Sequence, residues 1–158
     1  MTLEEMVDQH AVDIRRYLYR RLVGVADPAT TADDLTADVL VVAWRRRSDI
    51  PPGAELPWLY GVARRVLANY RRRPQEVLVA DLGEIDAVDE ADPADMVTDD
   101  AALAAAWRSL SPRDREVLRL VAWEGLGGRD LACALGLTEG GAASALSRAR
   151  SRFEELLA

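Results

Sequence analysis

The chain has 158 residues, enough for one ordinary domain or two small ones, with 49% apolar and only 6% aromatic residues. A core must therefore be built mainly from Leu, Val and Ala, which suits helices better than sheets. The net charge of −7 argues against a nucleic-acid binder until it is divided along the chain: residues 1–74 carry +2, residues 75–106 carry −10 and residues 107–158 carry +1. No run approaches the roughly 20 apolar residues of a membrane span, and Met1-Thr2-Leu3-Glu4-Glu5 lacks the basic-then-apolar pattern of a signal peptide. A single cysteine, Cys133, excludes an internal disulfide. The chain reads as cytoplasmic, with no membrane insertion.

The first block predicts three helices. Leu3 to about Val23 places Met6, Val7, Ile14, Tyr17, Leu18 and Leu22 roughly on one helical face, until Asp27-Pro28 interrupts it. A second helix is expected from near Thr31, where Thr31 and Asp34 have capping-box spacing, through DDLTADVLVVAWRRR to the Ile50-Pro51-Pro52-Gly53 stop. Along one side of it run Asp34, Leu35, Asp38, Val39 and Val42. That mixture of acid and apolar groups suits docking on another helical surface, although Leu35, Val39 and Val42 taken singly read better as core. Trp44 reads as core.

A third helix is expected from Pro57 to about Arg73. Its buried stripe is Leu59, Val62, Ala63, Val66, Leu67 and Tyr70. Trp58, Gly61, Arg65, Asn69 and Arg72 project elsewhere, and Arg64, Arg65, Arg71, Arg72 and Arg73 crowd ten residues. Arginines that hold phosphates beside a planar ring suit single-stranded DNA, where stacking contributes about 1–3 kcal/mol per base. A partly buried anchor at a helix start is the other reading of Trp58.

Residues 75–106 hold ten acids and no base. Self-repulsion and a lack of anything to bury predict an extended tether. It serves either as a solubilising spacer or as a mimic of nucleic acid in a basic channel.

The last block, from 107 to 158, opens with Ser111, Pro112 and Asp114, a cap, a first-turn proline and a capping-box acid. A short helix over Arg129–Leu135, the turn Gly136-Leu137-Thr138 and a helix from Glu139 onward give a helix-turn-helix pattern. On the last helix Ala142, Leu146, Ala149, Phe153 and Leu156 share one face. Ser144, Ser147, Arg148, Ser151 and Arg152 fall toward another, the candidate groove-reading surface. Together these elements predict an all-α protein: two small helical domains joined by an acidic flexible linker.

The stretch LSPRDREVLRLVAWEGLGGRDLACALGLTEGGAASALSRAR resembles the region-four domain of bacterial sigma factors. DDLTADVLVVAWRR and PWLYGVARRVLANYRRR resemble the region-two domain. Without other sigma domains between them, the chain is similar to the extracytoplasmic-function group. The resemblance implies an RNA polymerase specificity subunit that binds core polymerase through Asp34, Leu35, Asp38, Val39 and Val42. It implies opening of the −10 element by Trp58, Arg64, Arg65, Asn69, Arg71, Arg72 and Arg73. It implies reading of the −35 element through Glu139, Ser144, Ser147, Arg148 and Arg150. The implied partners are core polymerase and promoter DNA, and an anti-sigma antagonist is a common partner in the family; no cofactor or metal is implied.

The recognition helix departs from the family. Gly141-Ala142-Ala143 stands where a β-branched and a basic residue are usual, Ala145 where Arg is common and Ser147 where His is common. Fewer cations mean fewer phosphate contacts, so weak −35 recognition by the isolated C-terminal domain is expected.

Other function classes fare worse on these residues. His10 is the only histidine, Cys133 lies among Leu131, Ala132 and Leu135, and no phosphate loop or metal-ligand spacing occurs, so an enzyme is not expected. The competing readings are a helix-turn-helix regulator that does not join core polymerase, and a sigma-like decoy that sequesters an antagonist.

Overall fold

The computed structural model describes residues 1–76 and 98–158, and among them the regular structure is entirely helical. The chain divides into two compact units, Met1–Val88 and Asp89–Ala158.

The first unit contains α1 (Leu3–Arg20), α2 (Pro28–Arg45), a one-turn 3-10 helix (Arg47–Asp49) and α3 (Glu55–Glu76). A capping box opens α1: Glu5 N–H donates to Thr2 Oγ1 at 3.1 Å, and Thr2 N–H to Glu5 Oε2 at 2.7 Å. The second helix starts earlier than Thr31. Asp27 caps it by accepting from Thr30 N–H at 3.2 Å, and Pro28 takes the first position, where its missing N–H costs nothing. Thr31 and Asp34 therefore lie inside α2 and form no capping box. The third helix likewise begins two residues before Pro57.

All three helices pack on one another, burying Met6, Ile14, Leu18, Leu22, Val39 and Leu59. Arg21 is a fully buried arginine in this core. Its guanidinium carbon lies 3.6 Å from the Tyr17 ring centroid, its Nη1 donates to Tyr17 C=O at 3.0 Å, and Tyr17 stacks on Tyr60 at 5.3 Å. Charge, hydrogen bond and ring together satisfy a group that would be costly to bury alone. Trp44 is not core. It is half-buried, with the Arg47 guanidinium 4.2 Å above its ring.

The second unit contains α4 (Ala101–Ser109), α5 (Pro112–Ala122), α6 (Gly128–Leu135) and α7 (Glu139–Leu157). Most of the expected tether lies outside the described residues, but its last part is helix. Asp100 caps α4 with bonds from Ala102 and Leu103 N–H. The Ala-rich run that follows has high helix propensity, and α4 packs on α7. Trp107 meets Phe153 edge-on at 5.8 Å, which gives α4 a tertiary reason to exist. Val117, Ala145 and Ala149 form a buried cluster joined by Leu118, Leu135, Leu137 and Leu146.

Candidate nucleic-acid and polymerase surfaces

On α2 the structure separates the expected docking residues by depth. Leu35 is 3% exposed and Val39 is 0% exposed, so both are core and present nothing to a partner. Val42 is half-buried, and Asp34 and Asp38 are exposed with no ion pair among the described residues. Sequence reasoning missed Val41, which is 48% exposed. The signal was available: Asp34, Asp38 and Val41 stand at i, i+4 and i+7, one strip of a helix.

The outward side of α3 is a cationic track with one ring. Arg65, Asn69 and Arg73 are exposed, and Trp58 and Arg72 half-buried. Residues 58, 65, 69 and 72 fall within one face at 3.6 residues per turn. Arg72 Nη2 donates to Asn69 Oδ1 at 2.8 Å, which orders the middle of the track. Two expected members lie apart from it. Arg71 donates through Nη2 to the carbonyl of Arg21 at 2.8 Å, holding the end of α1, and Arg64 is half-buried and engaged in other contacts. Beside Trp58 stands a residue of α2 that spacing along the chain offered no reason to include. The Arg46 guanidinium lies 5.6 Å from the indole centroid, and Arg46 Nε donates to Asp49 Oδ2 at 3.1 Å.

In the second unit α6, a tight turn and α7 form the helix-turn-helix. Gly136 adopts φ +66°, ψ +33°, the left-handed conformation that ends α6 with Leu137 N–H bonded to Ala132 C=O at 2.9 Å. Thr138 Oγ1 then accepts from Gly141 N–H at 3.0 Å and starts α7. Leu137, packed against the Val117 cluster, fixes the angle of the turn. Glu139, Ser144, Ser147, Arg148 and Arg150 are all exposed. On the helix wheel Ser144, Ser147 and Ser151 line the centre of the outward face, with Arg148 and Arg150 on opposite flanks.

Three arginines of this unit are structural. Arg152 does not join the serine face; its Nη1 donates to both oxygens of Asp114 at 3.0 and 2.7 Å. Asp114 thus ties α5 to α7, and capping of α5 falls to Ser111, which accepts from Asp114 N–H at 3.1 Å. Arg119 is buried with its guanidinium 5.5 Å from both the Trp107 and the Trp123 rings. Arg115, also buried, donates to Leu110 C=O. Of the eight arginines after residue 106, six are exposed: Arg152, held by Asp114, and Arg108, Arg113, Arg129, Arg148 and Arg150. At the Ala145 departure the side chain is 6% exposed and packed with Val117 and Ala149.

The described residues include the single cysteine, Cys133. Burial pushes the Cys133 thiol above its ordinary value, with Asp130 adding to the shift, so the reactive thiolate is disfavoured. Among the described residues no group of three or more His, Cys, Asp or Glu side chains converges, and no helix is long and apolar enough to cross a membrane.

Comparison with known proteins agrees with this layout. Residues 6–76 match the model of Sigma-70 region 2, and residues 100–153 match that of Sigma-70, region 4. The chain is 31% identical over 159 residues to the ECF RNA polymerase sigma factor BldN of Streptomyces coelicolor, covering 96% of this chain and 59% of the relative. It is 30% identical over 166 residues to the RNA polymerase sigma factor CnrH of Cupriavidus metallidurans, covering 97% of this chain and 85% of the relative. The chain thus spans only about three-fifths of the length of some curated relatives. The fold is similar to that of the sigma factor RpoE from Bartonella quintana, solved in complex with the anti-sigma factor NepR. The TM-score is 0.60 at 24% identity, covering 98% of this chain and 95% of that one.

Proposed function

The chain belongs to the extracytoplasmic-function group of the sigma-70 family, and on that premise we propose that it binds core RNA polymerase in the cytoplasm, directs it to promoters and opens the −10 element. The observation that carries this reading is the outward face of α3, where Trp58, Arg65, Asn69 and Arg72 align on the unit that does not hold the helix-turn-helix. One chain then offers a single-strand surface and a duplex-reading helix.

Opening works by differential binding. A surface that holds unpaired DNA and not duplex shifts the closed–open equilibrium toward the open state by its differential affinity. Stacking one base contributes about 1–3 kcal/mol, and a broken DNA step costs about 1.4 kcal/mol on average. Trp58 therefore offsets roughly one step, and the remaining opening requires the polymerase. For that docking we assign Asp34, Asp38, Val41 and Val42, the parts of the α2 strip that solvent reaches. We assign −35 reading to Ser144 and Ser147, phosphate contact to Arg148 and Arg150, and a flanking base contact to Glu139. The region-two domain is taken as residues 1–74. The region-four domain is taken from about residue 98, because α4 packs on α7.

In vitro transcription with core enzyme over a genomic DNA library tests the proposal. Discrete start sites that require the added chain are the expected result. Failure of the chain to associate with core enzyme, together with no new start sites, would overturn it.

A further inference from the structure

We infer that Arg46 and Trp58 act as one nucleotide-binding couple, the ring taking an unpaired base and the guanidinium taking that nucleotide's phosphate. The inference rests on the strand-binding role proposed for α3 and extends that surface onto the end of α2.

Arg46 is the C-cap of α2, its backbone N–H donating to Val42 C=O at 3.0 Å. The 3-10 turn that follows folds Asp49 back, with Asp49 N–H donating to Arg46 C=O at 2.8 Å and Asp49 Oδ2 accepting from Arg46 Nε at 3.1 Å. The carboxylate occupies only the Nε edge. Neither terminal nitrogen of Arg46 has a hydrogen bond among the described residues, while the guanidinium carbon stays 5.6 Å from the Trp58 centroid.

Neighbouring arginines lack this combination. Arg47 donates Nη1 to Trp44 C=O at 2.7 Å, and Arg71 donates Nη2 to Arg21 C=O. Arg65 and Arg73 are exposed without a ring contact. An ordinary exposed arginine loses rotamer freedom when it meets a phosphate. Arg46 is held in advance by Asp49 and by the indole, so less entropy is lost on binding. Its open edge carries two nitrogens, the fork that matches a phosphate bidentately. Asp49 weakens the long-range attraction of this cation, so its contribution is short-range and depends on geometry.

The test uses the full chain reconstituted with core enzyme and a fork-junction DNA carrying a promoter from the transcription screen. Affinity is measured across a salt series. A single-strand phosphate contact contributes about 0.7 to the slope of log K against log salt. Arg46→Ala is expected to make the slope shallower by about that amount and to weaken binding about 5-fold, with core association unchanged. Arg46→Lys should recover most of the slope, because the charge remains. Trp58→Ala should cost less on the Arg46→Ala background than on the wild type. An unchanged slope in Arg46→Ala, strictly additive effects of the two alanines, or loss of core association would each overturn the couple. If the wild-type holoenzyme itself does not bind the fork, the proposed function fails first and the couple falls with it.

Discussion

Asp114 and Arg152, 38 residues apart in sequence, meet through one guanidinium nitrogen that donates to both carboxylate oxygens. The carboxylate side chain is 9% exposed and the arginine 53%. The pair joins the first turn of α5, where a negative charge is favoured by the helix dipole, to the last third of α7. An arginine that looked like part of a DNA-binding face is a clasp.

Two arginines four residues apart should therefore behave oppositely. Arg152→Ala leaves a nearly buried carboxylate without its cation, and we expect a loss of about 1–2 kcal/mol, moderated by the exposure of the arginine. In a unit of this size that corresponds to a melting temperature lower by about 4–16 °C. Arg148→Ala should leave melting unchanged, weaken promoter binding and make its salt slope shallower by about 0.9, the value for one duplex phosphate contact. Circular dichroism melts and salt-dependent binding separate the two. Equal melting temperatures for both variants would refute the clasp.

The glycines that begin α7 should also differ. A Cβ at residue 140 meets nothing within 4 Å, so Gly140→Ala should stabilise the unit by up to about 1 kcal/mol. At residue 141 a Cβ would stand 3.1 Å from Thr138 Oγ1, the cap oxygen, so Gly141→Ala should gain less or lose stability. Thermal denaturation of the two single variants gives the order directly.

Depth on α2 sets a third contrast. Leu35→Ala removes a buried side chain and should cost about 2–5 kcal/mol, enough to compromise a small unit. Asp38→Arg, at an exposed position, should leave folding within about 0.5 kcal/mol and reduce association with core enzyme. A pull-down alongside a melt distinguishes lost docking from lost fold.

The start of α1 should respond to acid. The Thr2 backbone hydrogen bond holds the Glu5 carboxyl below its ordinary value of 4.5. A depressed folded value means the stabilisation is fully present above the unfolded value and is lost as pH falls through the folded one. Amide exchange in the first turn of α1 should accelerate as pH drops below about 4.5, after correction for intrinsic rates. Glu5→Gln should flatten that dependence. A Gln variant with the same acid profile as the wild type would remove Glu5 as its source.

What the sequence determined by itself was local. Ser111-Pro112, Gly136 and Thr138 mark helix ends through bonds that span three to five residues, so α5 and the turn before α7 were legible without a fold. The periodic burial of Leu59, Val62, Ala63 and Leu67 was legible for the same reason: a helix face is a property of spacing. The role of each arginine was decided only by tertiary structure. Arg21 is buried because Tyr17 and Tyr60 stack beside it, Arg119 because Trp107 and Trp123 flank it, and Arg152 is clasped because α5 brings Asp114 to it. Spacing cannot separate such residues from Arg65 or Arg148, since all are equally cationic in the chain. A guanidinium is drawn inward only where distant residues supply rings, carbonyls or a carboxylate, and those partners meet only when the helices pack.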